Sequence, residues 1–156
     1  FRKIPKEVSK WRFGMAAIAA LVHDILIVTG VFVLLGQFAG VEIDALFVTA
    51  LLTIMGFSVH DTIVVFDRVR ENLRYRKSED SLAKNANDAL NQTMARSINT
   101  SISTLITILA LLIFGAESIR MFVLALAVGI VAGTYSSIFV ASPLLVWWND
   151  RANKEA

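Results

Sequence analysis

Two dipeptides place chemistry inside apolar runs: His23-Asp24 in "AALVHDILIV" and His60-Asp61 in "GFSVHDTIVV". A third polar group starts at Arg96 and continues through Thr100, Ser103, Thr104 and Thr107, whose spacing puts them on one helical face. A charged side chain at the centre of a membrane helix costs roughly 2.5–3.5 kcal/mol on insertion scales, so such residues turn to protein or water and mark ion pathways. The chemistry these residues suit is proton handling. Asp61 lies five residues before Phe66, the last apolar residue of its run, hence roughly 8 Å inside the boundary. Arg96 opens the next run from the same side, so Asp61 and Arg96 are expected to meet if those two helices are neighbours. His60, His23, Thr100 and Thr104 are candidate supporting groups. Asp24 is deeper, about 12 residues from the inner end of its run, and reachable only through hydrated or hydrogen-bonded intermediates. Two readings stay open for Asp61: a static ion pair with Arg96 that fixes helix register, or a group that changes protonation. Asp24 is likewise either a proton carrier or a residue that satisfies a neighbouring helix.

Other chemistry is poorly supplied. His23 and His60 have no third ligand at a sensible spacing, and zinc takes three or four, so no metal site is expected. No cysteine, nucleophile elbow or glycine-rich phosphate loop occurs. Two aspartates at different depths do not make an intramembrane protease. The expectation is a non-enzyme without cofactor.

The elements that must position these groups are membrane helices. The chain is 56% hydrophobic and 18% charged, against about 25% charged in a typical soluble protein, and its mean hydropathy is +0.63. Four apolar stretches, about 13–35, 45–66, 98–114 and 121–148, each approach the roughly 20 residues that cross a bilayer. Fourteen of the fifteen Lys and Arg residues lie before the first stretch, between the second and third, or after the fourth; only Arg120 lies elsewhere. The positive-inside rule then puts both termini and the central loop in the cytoplasm, with Trp11, Trp147 and Trp148 at the inner boundary. The expected fold class is an all-α membrane protein: a basic cytoplasmic segment over 1–12, a four-span membrane domain over 13–148, and a cytoplasmic tail over 149–156. Within the cytoplasmic loop 67–97, Asp67 to Arg74 continues span two into water. Residues from Ser78 form a helix on the membrane surface, capped by Ser78 with Glu79 and Asp80, with Leu82, Ala86, Ala89, Leu90 and Met94 as its apolar stripe. Ala125, Gly129, Gly133, Ser137 and Ala141 recur every four residues and form a helix-packing face. Pro143 marks a kink, and Gly133, Ser136 and Ser137 mark a bend.

The basic inner face suits membrane lipids and orientation rather than nucleic acid. The chain opens at Phe1, which reads as an internal or C-terminal piece of something longer.

The opening stretch "WRFGMAAIAALVHDILIVTG", with "DTIVVFDRVREN", "ARSINTSISTLITILALLIFG" and "VGIVAGTYSSIFVASPLLVWW", resembles the membrane half of the SecF family of the bacterial Sec protein-translocation machinery. The likeness runs over nearly the whole chain, and His60 stands where that family's pattern has asparagine. The resemblance implies the last four of six spans in the bacterial cytoplasmic membrane, partnership with SecD and the Sec channel, and kinship with RND-type proton-driven exporters. It implies use of the proton-motive force to promote export of a polypeptide, contacted through an outer domain. It also implies a proton-relay role for Asp61 and Arg96, in which Asp61 alternates between a form paired with Arg96 and a protonated form. Two rival readings remain: an RND-type exporter of lipid or small molecules, and a structural subunit that stabilises the translocon.

Overall fold

The protein is described by a computed structural model covering residues 10–75 and 81–154. Those residues are all-helical: α1 (Lys10–Ala39), α2 (Ala45–Tyr75), α3 (Leu82–Phe114), a short 3-10 turn (Glu117–Ile119), α4 (Arg120–Ser136), a π-helical segment (Ser137–Ala141) and α5 (Ser142–Lys154). The last three follow one another without a break, so four long rods result. Each rod is long and apolar enough to cross a membrane.

Local chemistry sets the joints. α1 ends at Gly40, whose φ of 66° is a conformation that suits glycine, and its N–H closes on the Gly36 carbonyl at 3.1 Å. Asp44 caps α2 by accepting from the Phe47 N–H at 3.0 Å. Ser81 caps α3 by accepting from the Lys84 N–H at 3.2 Å. The cap expected at Ser78, with Glu79 and Asp80, lies outside the described residues.

The stretch expected as a separate surface helix is the first part of α3. Helix 82–114 is uninterrupted through residue 97, because nothing between Leu82 and Ile98 breaks it: the stretch has no proline and no glycine. Its apolar stripe faces protein. Leu82, Ala86 and Ala89 are buried against Val65, Phe66, Val69 and Leu73 of α2, Phe13, Ala16 and Ala20 of α1, and Ala141 and Leu145. Phe13 meets Phe66 edge-on, with ring centroids 5.4 Å apart, and the Arg70 guanidinium sits 4.5 Å over the Phe13 ring. Arg12 donates to Asn149 at 2.6 Å, tying the start of α1 to α5.

A second apolar cluster occupies the other end of the bundle, where Val28, Phe32, Phe47, Ala50, Ile54 and Ala125 pack. α4 lies against α1, α2 and α3. Its small residues make that possible: Ala125, Gly129, Gly133, Ser137 and Ala141 are all buried. A Cβ on Gly129 would lie 2.3 Å from Cγ1 of Ile54, and one on Gly133 would lie 3.1 Å from Cβ of Ser58. α2 and α4 thus run side by side in a register of 54 to 129 and 58 to 133.

The helical irregularity in this rod is the π segment over Ser137–Ala141, where the bend is expected. Pro143 lacks the N–H that would bond the carbonyl four residues back, and its ring crowds that carbonyl. A widened turn just before it relieves the clash. The Ser142 hydroxyl donates to the Ser137 carbonyl at 3.2 Å, supplying a donor inside the widened turn.

Candidate functional site

Between the two apolar clusters lies a layer of buried polar side chains contributed by all four rods. Its centres are two carboxylates. Asp61 of α2 is 8% exposed; Oδ1 accepts from the Ser97 hydroxyl of α3 and Oδ2 from the Ser137 hydroxyl at the head of the π segment, both at 2.7 Å. Asp24 of α1 has no exposed surface. Its Oδ2 accepts from the Ser58 hydroxyl of α2 in a short hydrogen bond and from the Ser136 hydroxyl of α4 at 2.8 Å. Its Oδ1 lies 3.1 Å from Nδ1 of His23. One turn away, the Thr134 hydroxyl lies 2.6 Å from that of Ser101.

Ser136 and Ser137, consecutive residues where α4 gives way to the π turn, therefore serve two carboxylates on two different helices. Each also has a second acceptor in its own helix. Ser137 Oγ is 3.0 Å from the Thr134 carbonyl and Ser136 Oγ is 3.2 Å from the Gly133 carbonyl. A hydroxyl has one hydrogen to give, so each serine is a rotor with two settings.

Asp61 and Arg96 line one small cavity of about 130 Å³, together with Phe57, His60, Val64, Ser97 and Thr100. At roughly 30 Å³ per water this has room for a few molecules. The direct contact expected between the two is absent: Asp61 is held by serine hydroxyls, and no ion pair within 4 Å joins it to Arg96. Ser97 explains the difference. It follows Arg96, about 100° further round the helix, and it is Ser97 that points at Asp61 while Arg96 stays exposed on the flank. His60 is exposed at the same cavity. Thr104 and Thr107 bond back to the carbonyls of Thr100 and Ser103 and do not reach the carboxylates. His23, one-third exposed, lies beside Tyr135 with ring centroids 6.5 Å apart.

Asp24 and Asp61 also lie closer in depth than their distances from the span ends imply. Ser58, which bonds Asp24, is three residues from Asp61 on α2, a rise of about 4.5 Å. Sequence reasoning gives Ser58, Ser97 and Ser101 no role and reads Ser136 only as part of a bend. Ser58, Ser97, Ser101 and Ser136 sit in apolar runs with nothing to distinguish them from neutral helix-facing serines. A faint signal was available: Ser58 and Asp61 are three apart, as are Thr134 and Ser137, which puts each pair on one helical face.

A family model for the C-terminal part of the protein-export membrane proteins SecD and SecF matches residues 8–151. The protein translocase subunit SecF of Thermobaculum terrenum is 56% identical over 151 residues, covering 97% of this chain and 46% of the relative. SecF of Synechocystis sp. is 49% identical over 136 residues, covering 87% and 43%. The translocase subunit SecDF of Thermus thermophilus is 47% identical over 141 residues, covering 90% and 18%. A crystal structure of SecDF in a super-membrane-facing form superposes with a TM-score of 0.81 at 44% identity, over 93% of this chain and 19% of that one. The chain spans about half the length of the SecF relatives it matches.

Proposed function

This chain belongs to the SecD/SecF family of protein-export membrane proteins, and from that premise we propose that it serves as the membrane half of a SecF-type accessory subunit of the Sec translocase. It works with SecD in the bacterial cytoplasmic membrane and uses the proton-motive force to promote polypeptide export. The relatives' names support the assignment to protein translocation, and the fused SecDF relative supports SecD as partner. Both termini and the 75–82 connection face the cytoplasm, supported by the fourteen basic residues clustered at that end.

The observation that carries the mechanism is the Asp61 carboxylate, buried and held by hydroxyls from two other helices at the wall of a cavity that Arg96 also lines. With Asp61 ionised, Ser97 and Ser137 both donate to it, and α2, α3 and the π segment are tied at one point. A proton that arrives from the cavity must bind an oxygen that already accepts a serine hydrogen. If it binds Oδ2, Ser137 turns its hydroxyl to the Thr134 carbonyl, which is within reach, and the tie between α2 and the π segment is released. Arg96 lines the same cavity without contacting the carboxylate. A proton crossing the membrane field yields about 2.3 kcal/mol per 100 mV, comparable to a hydrogen bond to a charged group at about 1.5–3 kcal/mol. Proton binding and release at Asp61 thus bias how the helices pack, and that change is passed to the rest of the subunit.

The test is Asp61→Asn in the full-length subunit expressed with SecD. Membrane insertion and co-purification with SecD should persist while proton-dependent secretion is lost. Normal secretion in that variant would remove the relay assignment and favour a structural role.

A further inference from the structure

Asp24 is the most enclosed ionisable group among the described residues, yet the Asp61 step makes no use of it. It has no exposed surface and three polar neighbours. One of these, His23, is unlike the others: its side chain is 34% exposed while its Nδ1 touches the buried carboxylate. An imidazole so placed has one nitrogen on the acid and one directed away from it, the arrangement of a proton shuttle. His23 is also near the middle of α1, about 20 Å from either end. A polar ring there is costly against lipid, so its open edge belongs to a hydrated path or a protein neighbour. The other groups around the pair are the Tyr135 ring of α4, 6.5 Å away between centroids, and the hydroxyls of Ser58 and Ser136, which share Asp24. None of them brings a charge.

We propose that His23 and Asp24 form a second proton-carrying site, coupled to Asp61 through the adjacent hydroxyls of Ser136 and Ser137. The inference rests on the reading of Asp61 given above and extends it. In the step, His23 takes a proton at Nε2 and passes the Nδ1 proton to Oδ1 of Asp24, so the ring ends neutral in its other tautomer and the acid ends protonated. Oδ2 of Asp24 then becomes an uncharged, weaker acceptor that Ser58 and Ser136 share, and the Ser136 hydroxyl shifts toward its second acceptor, the Gly133 carbonyl. The next residue is Ser137, whose hydroxyl makes the same choice between Asp61 and Thr134. The two carboxylates are thus read by neighbouring residues of one helix, at the point where its hydrogen-bonding register changes from α to π. A change at either acid alters the hydrogen bonding of the same turn.

The test uses the full-length subunit with SecD in proteoliposomes, with proton flux driven by an imposed pH gradient and followed with an enclosed dye. His23→Ala should lower the flux about tenfold or more, and millimolar imidazole in the buffer should restore it. His23→Asn, whose amide replaces the Nδ1–H donor without carrying a proton through, should stay low; co-purification with SecD reports that each variant is folded. Full flux in His23→Asn, or a His23→Ala defect that imidazole leaves unchanged, would reduce His23 to a structural donor and overturn the inference. Asp61→Asn separates the two ideas. If its flux is lost while both His23 variants conduct normally, only the second site falls; if Asp61→Asn itself conducts normally, the reading of Asp61 falls first.

Discussion

Ser137 has three points of attachment: its hydroxyl donates either to Asp61 or to the Thr134 carbonyl, and its own carbonyl accepts from Ser142. The residues that matter at this scale are small hydroxyls around two carboxylates. Ser97 is the simplest to probe, because its hydroxyl has one acceptor, Asp61. Ser97→Ala should lower the unfolding free energy of the detergent-solubilised protein by about 1.5–3 kcal/mol, the range for a hydrogen bond to a charged group, read as a fall in unfolding midpoint. In an Asp61→Asn background the same substitution should cost less than about 1.5 kcal/mol, the range for a neutral pair. Equal losses in the two backgrounds would show that Ser97 does not serve Asp61. Arg96 belongs with these residues through a shared cavity rather than a contact.

At the scale of elements, the decisive contact is α2 on α4. The absent side chain at 129 lets Ile54 approach, since a Cβ there would meet Cγ1 and Cδ1 of Ile54 at 2.3 and 2.4 Å. Gly129→Ala should therefore destabilise the protein by about 1–3 kcal/mol through overpacking, with a loss of thermal stability in detergent. Adding Ile54→Ala should recover part of that loss, because the two sites couple; strict additivity in the double mutant would place the stripe elsewhere than against α2. Glycine at 133 is less tightly held, with Ser58 Cβ at 3.1 Å, so Gly133→Ala should be milder. α3 differs from its companions. Only 11% of its apolar window is buried within this chain, while its first turns pack fully into the cluster at the terminal end.

For the whole molecule, two apolar clusters clamp a polar layer, and the direction in which the bundle sits across the membrane decides from which side each acid is reached. The chain itself has no cysteine, so single cysteines introduced into a full-length subunit freed of any other cysteine report its orientation. In intact cells a membrane-impermeant maleimide should label Glu42→Cys and spare Lys77→Cys until the membrane is opened. Labelling in the opposite sense would invert the proposed topology.

From the sequence alone, four membrane helices follow from the length and apolarity of the runs, and the helix-packing stripe follows from a four-residue recurrence. That Asp24 and Asp61 turn toward protein rather than lipid follows from the cost of a charge in an apolar span. The division at residue 97 does not hold in three dimensions: the run of hydropathy changes there, but a helix needs only unbroken backbone hydrogen bonds and ignores that change. What tertiary structure alone decided is the partner of each acid. Spacing along one helix tells which residues share a face, but not the rotation of the next helix against it. A rotation of about 100°, one residue, separates Arg96 from Ser97 as the group that meets Asp61, and only the packing of α3 on α2 makes that choice.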